Sequence, residues 1–284
     1  MRRLSFLYKA KKIVYVLLCL SSFFCYADDI ELLPPKNLFD APIADPRWPK
    51  FLMGLDYNST TNLGRTLWNF NFGEDIGLMR FGDKSKPYEF GVQAGVFGVM
   101  DIKSDPTVLI NTDYFIALEF SHLSGGWQQL LQVSHTSSHV GDEFLLSQRG
   151  KNFQRINLSY EMVKYFLRYK PSSHFSPYMN AGYLFHVDPN YIKRFVFGIG
   201  ADLYSKKIIF KNSTRLIAGA FINSWQENNY KPTFTMRAGM QYEKTRYCNR
   251  FLQLLLQYQI GKSQAGQFYS KNVQTIGLLV AFSS

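Results

Sequence analysis

Residues 134–144 hold a high density of side chains that could do chemistry. The stretch reads SHTSSHVGDEF and contains two histidines, three serines, a threonine, an aspartate and a glutamate. A histidine can accept the proton of a serine hydroxyl and make it a nucleophile, provided that a third group orients the imidazole. The same residue types also build hydrogen-bonded loops. The position of the stretch in the fold therefore decides between catalysis and structure.

The N-terminus has the pattern of a cleaved signal peptide over residues 1–27. Five Lys and Arg residues precede an apolar run from Ile13 to Phe24, and small residues suit cleavage after Ala27. The run is short for a membrane-spanning helix, which needs roughly 20 residues. Cleavage leaves 27 basic and 21 acidic residues, so the net charge is +6 instead of +11. Much of the basic excess belongs to the export signal, and no nucleic-acid partner is expected.

The chain after the signal peptide combines features that are typical of a transmembrane β-barrel. It is rich in Phe and Tyr, has no second apolar stretch long enough for a membrane helix, and keeps one cysteine, Cys248. Apolar and polar residues alternate along long segments such as 251–260, whereas strands of soluble proteins usually have about 5–6 residues. Alternation also fits a soluble sandwich or a lipocalin, but large apolar faces with aromatic ends favour the membrane barrel.

We therefore predict an all-β fold, an antiparallel up-and-down transmembrane barrel of about twelve strands over residues 51–284. Ten or fourteen strands are alternatives, because residues 74–87 fit either a loop or a short strand. The strands are predicted near 51–60, 65–73 (or to 83), 88–100, 112–122, 126–138, 154–168, 177–187, 194–204, 213–223, 232–243, 250–261 and 272–282.

Residues 28–50 contain five prolines and do not alternate, which indicates a periplasmic N-terminal segment that clamps or plugs the barrel. Trp48 is predicted at the membrane interface. The two chain termini of the barrel should lie in the periplasm of a bacterium. Outer-membrane lipids and the barrel-assembly machinery are the expected partners. The oligomeric state stays open. Charges of both signs on the inner faces favour a filled, salt-bridged interior over a selective pore; they are Glu89, Glu119, Arg155, Glu161, Arg194, Arg215, Arg237 and Glu243.

The fifth predicted strand places part of the polar stretch on the lipid-facing side. Leu131 and Val133 have the phase of lipid-facing residues, and His135 and Ser137 continue that phase towards the outer headgroups. Residues two apart on one strand face are about 6.6 Å apart, so the two side chains can reach each other. The pair predicts Ser137 as a nucleophile and His135 as its base.

The group that would orient His135 stays open between two residues. Asn157 is the candidate by order along the chain, but its phase groups it with Ser159 and Glu161 on the lumen side unless a bulge intervenes. Gln154 has the opposite phase and is predicted to lie across from Ser137.

Two other roles for the stretch are weighed against catalysis. A metal site of His135 and His139 with Asp142 or Glu143 would suit a helix, because on a strand the two histidines are about 13 Å apart. Calcium bound by Asp142 and Glu143 would match the preference of that ion for oxygen ligands. The non-catalytic alternative is a hydrogen-bonded rim that orders the third outer loop.

Three stretches resemble one bacterial family. LFDAPIADPRWPKF at 38–51, HTSSHVGDEF at 135–144 and RINLSYE at 155–161 resemble the domain-of-unknown-function 1207 family, which is known mainly as predicted outer-membrane barrels. The resemblance implies the fold and the location, and it implies no activity.

The outward His135-x-Ser137 pair is more loosely similar to outer-membrane phospholipase A and to lipid A 3-O-deacylases. In the phospholipase an asparagine completes the triad and calcium assists. This similarity implies an acyl-ester hydrolase that acts on outer-leaflet lipid. A non-enzymatic barrel, either a narrow channel or a structural protein, is the alternative function.

Overall fold

The computed structural model of the 284-residue chain describes residues 30–60, 63–209, 213–247 and 250–283. The predicted signal peptide and Cys248 lie outside these ranges. Within them, no helix is both long enough and apolar enough to cross a bilayer. The described elements are β1 (Ile30–Leu32), β2 (Phe51–Asn58), β3 (Thr66–Phe81), β4 (Tyr88–Asp101), β5 (Val108–Ser124), β6 (Trp127–Val140), α1 (Asp142–Leu146), β7 (Ser159–Tyr169), β8 (Phe175–Asp188), β9 (Phe195–Ile209), β10 (Thr214–Trp225), β11 (Pro232–Tyr247), β12 (Arg250–Lys262) and β13 (Asn272–Ser283), with single 3-10 turns at Gln226–Asn228 and Gly266–Phe268.

Twelve strands close an antiparallel barrel, as predicted. Strands β2 to β13 each pair with the next strand in the chain, and β13 pairs back with β2. Strand β1 adds a short antiparallel pairing to the end of β3. The second predicted strand reaches Phe81, and the strand predicted at 154–168 begins only at Ser159. Closure leaves no barrel strand without a hydrogen-bonded neighbour on either side, which a lipid environment requires.

Side-chain polarity is reversed relative to a soluble protein. Apolar residues such as Ile116 and Leu278 are 58% and 69% exposed on the outer face. Carboxylates and amides such as Glu89, Glu119 and Gln93 are buried inside the barrel. Alternating side chains point to opposite faces of a strand, so one face meets lipid and the other fills the lumen.

Residues 33–50, here called the inner segment, occupy the lumen. Trp48 is only 2% exposed and stacks on Phe39 with ring centroids 5.5 Å apart, while the edge of Phe166 on β7 completes the cluster. The prediction that Trp48 lies at the membrane interface is therefore wrong. The barrel interior offers aromatic partners that bury the indole more completely than an interface would.

Buried charges of the barrel wall hold the inner segment. Arg168 on β7 and Asp202 on β9 form an ion pair of 2.7 Å in which both side chains are almost fully buried. Asp202 also accepts a 3.2 Å hydrogen bond from the backbone N–H of Ile43. Arg237 on β11 donates to the carbonyl oxygen of Ile43 at 3.0 Å. The segment is thus tied to several strands across the lumen.

The two ends of the barrel differ in their connections. At one end, the turn end, Gly125 and Gly126 join β5 to β6 with φ of 55° and 82°, which a two-residue hairpin turn requires and glycine adopts readily. At the other, the loop end, Phe144 of α1 packs edge-on against Phe268 with centroids 5.1 Å apart. The 141–158 connection is therefore folded onto the barrel, because Phe144 joins an apolar core that includes Ile110 of β5 and Val140 of β6.

Candidate functional site

Strand β6 divides the polar stretch between its two faces. His135 and His139 are exposed on the outer face with Ser137 half-buried between them. Ser134 and Ser138 are buried and face the lumen. Ser138 Oγ donates to Asn111 Oδ1 at 3.3 Å, within a network that orders the loop end. At this end of β6 the polar side chains on the outer face are therefore His135, Ser137 and His139, here called the outward triplet.

Glu161 on β7 is hydrogen-bonded to His135. The two residues are directly opposite each other in the β6–β7 pairing, and His135 Nδ1 lies 2.8 Å from Glu161 Oε1. The side chains are 46% and 31% exposed, so the pair is open to the surroundings of the barrel. A carboxylate on Nδ1 makes that nitrogen the N–H donor and leaves Nε2 as the proton acceptor. The contact with Glu161 therefore favours the tautomer of His135 in which Nε2 is free to accept a proton.

A β-bulge brings a second histidine to the same carboxylate. In the β7–β8 pairing Glu161 is opposite His186, whereas Met162 is opposite Leu184, so Phe185 is the extra residue. The bulge turns both Phe185 and His186 to the outer face, where His186 Nδ1 lies 2.5 Å from Glu161 Oε2. Without it, strict alternation would direct His186 into the lumen with Leu184.

Arg194 stabilises the bulge from the following connection. Its Nη1 donates hydrogen bonds of 3.0 Å to the carbonyl oxygens of both Leu184 and Phe185. Both carbonyls belong to residues of the bulge, where the register of the ladder shifts. The sequence had indicated that the charge of Arg194 faces the lumen. In the structure Arg194 instead holds the backbone of the bulge that positions His186.

Ser137 contacts the other histidine of its strand. Its Oγ lies 3.0 Å from His139 Nε2, and the His139 ring packs edge-on against Tyr114 with centroids 5.6 Å apart. No hydrogen bond joins Ser137 to His135 among the described residues. Ser137 lies between two histidines at i−2 and i+2, and rotation about its χ1 directs Oγ towards one or the other.

The two predicted orienting residues lie elsewhere. Asn157 Nδ2 donates to Asp188 Oδ2 at 2.9 Å, beside the cluster but not bonded to His135. Gln154 is an exposed residue of the 141–158 connection, and Ser159, not Gln154, lies opposite Ser137. The structure thus brings neither residue to the imidazole, and Glu161 occupies that place.

The sequence pattern placed Glu161 on the wrong face. Ile156, Leu158 and Tyr160 have the phase opposite to Glu161, and their apolar side chains indicated the lipid side. They instead pack on the inner side, with Met162, Leu184 and Val187, in a core beneath the loop end. The lumen is apolar at this height, so apolarity alone did not distinguish it from lipid. No local signal identifies Glu161 as the partner of His135, because the 18 residues between β6 and β7 leave the register of the two strands open.

The acidic residues after the strand do not form a cation site. Asp142 and Glu143 are consecutive, exposed residues in the first turn of α1. Among the residues that the structure describes, no three His, Cys, Asp or Glu side chains converge as metal ligands would. Calcium binding needs six or more oxygen ligands around one point. The donor set near Asp142 and Glu143 does not fit that requirement.

The closed barrel, its apolar outer belt and its polar lumen define a β-barrel of the outer-membrane type. The chain belongs to the family described as "Protein of unknown function (DUF1207)", whose model matches residues 18–283. No curated protein matches the chain.

Solved structures with the same fold include outer membrane phospholipase A. The enzyme from Escherichia coli shares 14% identity at a TM-score of 0.57, over 84% of this chain and 93% of that one. Its active-site asparagine-to-alanine mutant gives a TM-score of 0.58 at 14% identity, over 88% and 93%. The Salmonella typhi phospholipase dimer with bound calcium gives 0.54 at 13% identity, over 87% and 95%. At these identities the likeness concerns the fold.

Proposed function

We propose that this barrel is a serine-type hydrolase of acyl esters in outer-leaflet lipid. The observation that carries the proposal is the 2.8 Å contact between His135 Nδ1 and Glu161 Oε1 on the outer face, two residues from Ser137. The arrangement supplies a nucleophile, a base and a carboxylate that orients the base. The fold shared with outer membrane phospholipase A is consistent with this reaction.

The reaction assigns one role to each side chain. With Ser137 Oγ turned towards His135, Nε2 takes the hydroxyl proton as Oγ attacks the ester carbonyl carbon. Glu161 stabilises the imidazolium that forms, and His135 then protonates the departing alcohol as the ester C–O bond breaks. Water, deprotonated by His135 in the second half, cleaves the acyl-serine. The products are a fatty acid and a lysolipid.

The position of the triplet suits a substrate embedded in a membrane. His135 and Ser137 follow Leu131 and Val133, which are exposed apolar residues of the outer belt, along one strand face. An acyl ester lies where the headgroup region meets the hydrocarbon. A nucleophile at the upper edge of the apolar belt can therefore reach that bond without extracting the lipid from the bilayer.

The filled lumen favours hydrolysis over conduction. The inner segment spans the interior through Asp202 and Arg237, and Arg47 reaches Asp113 on β5 at 2.7 Å. Small barrels whose lumen is filled by side chains have little open bore. A pore would need the inner segment to leave, which would expose the buried Arg168–Asp202 pair.

The test measures fatty-acid release by the full mature chain, refolded in detergent micelles. Phosphatidylethanolamine and lipopolysaccharide are supplied as separate substrates, each with and without calcium. We expect release by the wild type and a fall of about 10³-fold or more in Ser137→Ala, as when a catalytic serine is removed.

Ser134→Ala is the matched control, because Ser134 is on the same strand but faces the lumen. It should retain wild-type release. Equal release by wild type and Ser137→Ala, or none by the wild type on either substrate, would overturn the proposal.

A further inference from the structure

A cavity with a mixed polar and apolar wall lies inside the barrel towards the loop end. The volume open to the centre of a water molecule is about 70 Å³. One water needs about 10–15 Å³ on this measure, so the cavity has room for a small polyatomic ion. Its wall combines aromatic rings, such as Trp48 and Trp225, with amides such as Asn223. The cavity is separate from the outward triplet, because it lies on the opposite face of the strands.

Cations outnumber carboxylates around this cavity. Lys164, Lys231 and Lys262 line it together with Arg47, against a single carboxylate, Asp45. Arg47 is already neutralised by its 2.7 Å ion pair with Asp113, which is not part of this wall. The remaining three lysines exceed Asp45 by two charges. A cavity with low-dielectric walls strengthens that positive potential.

Lys164 is the cation whose charge is least satisfied. It is a lumen-side residue of β7, and no described residue forms a hydrogen bond or an ion pair with its ammonium group. Its Nζ lies over the ring of Phe166, 4.8 Å from the ring centroid. Asp45 attracts Lys164 but uses one oxygen to accept the backbone N–H of Arg47 at 2.9 Å. Lys164 is half-buried. An ammonium group withdrawn from bulk water is ordinarily paired, so this one is available to an external anion.

The mouth of the cavity is also basic. Lys231 is an exposed residue just before β11, and Lys262 ends β12, so both are at the loop end. Asn228, in the turn before Lys231, lines the same opening. An anion that approaches this end would meet these cations before it reaches Lys164, which increases its local concentration.

We infer that this cavity is a binding site for an oxyanion, a phosphate or carboxylate group, with Lys164 as the principal ligand. The sign of the charge, the size of the cavity and the unpaired ammonium each point to this chemistry. Lys231 and Lys262 attract the anion at the entrance, and the aromatic wall excludes competing water. The inference does not depend on hydrolysis at Ser137.

The test is isothermal titration calorimetry of the full mature chain in detergent, with inorganic phosphate in one series and acetate in another. We expect saturable binding of at least one anion, and the stronger of the two identifies the group that the site prefers. Lys164→Met should weaken that binding by about tenfold to a hundredfold, because a charge-assisted hydrogen bond is lost.

Lys103→Met is the matched control, because Lys103 is an exposed lysine of the β4–β5 connection that does not line the cavity. Its affinity should equal that of the wild type. Heat-induced mobility shift on gels checks that each variant is folded, and Lys262→Met gives a second measure if Lys164→Met does not fold. The inference is overturned if the wild type binds neither anion, or if folded Lys164→Met binds as tightly as the wild type. If Lys262→Met is measured in its place, unchanged affinity has the same consequence.

Discussion

Glu161 is shared between two histidines on neighbouring strands, with Oε1 2.8 Å from His135 Nδ1 on one side. The other oxygen contacts His186 at 2.5 Å. Both carboxylate oxygens are engaged, so the rotamer of Glu161 is restricted, and the direction in which His135 presents Nε2 is restricted with it. A base held in this way loses less entropy on reaction than a freely rotating imidazole.

We predict that Glu161 orients the base, His135. Replacing Glu161 should therefore slow hydrolysis, and the variant that keeps fewer features of the carboxylate should be the slower one. Glu161→Ala removes both the acceptor and the charge, and we expect a fall in kcat of about 10³–10⁴. Glu161→Gln keeps an acceptor for Nδ1–H and should retain more activity. Fatty-acid release in micelles measures both. Equal rates for wild type and Glu161→Ala would exclude this role.

His135 and His139 are both candidates for the base that activates Ser137, and they differ in their hydrogen-bond partners. His139 contacts Ser137, but no described carboxylate is hydrogen-bonded to it, whereas His135 is held by Glu161. We expect His135→Ala to reduce kcat by about 10³-fold or more and His139→Ala by no more than about tenfold. The reverse order would assign the base to His139. Circular dichroism of both variants checks that the barrel is intact.

The buried pair of Arg168 and Asp202 should dominate the stability of the filled lumen. Arg168→Met leaves the Asp202 carboxylate buried without its partner, and we expect a loss of about 3–5 kcal/mol in the free energy of unfolding. Adding Asp202→Asn removes that charge and leaves an acceptor for Ile43, so the double variant should recover most of the loss. Urea unfolding in lipid vesicles, followed by tryptophan fluorescence, compares them. Equal destabilisation of the single and double variants would contradict this account.

The pKa of Asp40 predicts one part of the loss of folding stability in acid. Burial raises the pKa of Asp40, but Lys36 and Lys170 lower it more, and the net value is about 2 against an ordinary 3.8. Because the folded pKa is the lower one, the contribution to stability is complete above about pH 4 and is lost as pH falls towards 2.

Asp40→Asn should therefore be less stable than wild type at pH 6, and the difference should shrink as pH falls towards 2. Urea midpoints at several pH values measure it. A constant difference would show that Asp40 acts through packing and not through its charge.

Much of the fold followed from local pattern, and part of the site did too. Alternation along each strand is a property of neighbouring residues, which is why twelve strands and the outward phase of Leu131 and Val133 were readable. The burial of Trp48 could not be predicted, because it depends on how the inner segment folds to bring Phe39 against it and on Phe166, which is 118 residues away in the chain.

By itself the sequence determined a membrane barrel that carries His135 and Ser137 on one strand face, because the two residues are separated by one period of the strand. The tertiary structure alone decided which group completes the site. Glu161 reaches His135 through the register of β6 and β7, and His186 joins it through a bulge that Arg194 stabilises. Register and bulges depend on contacts between strands, which no local pattern contains.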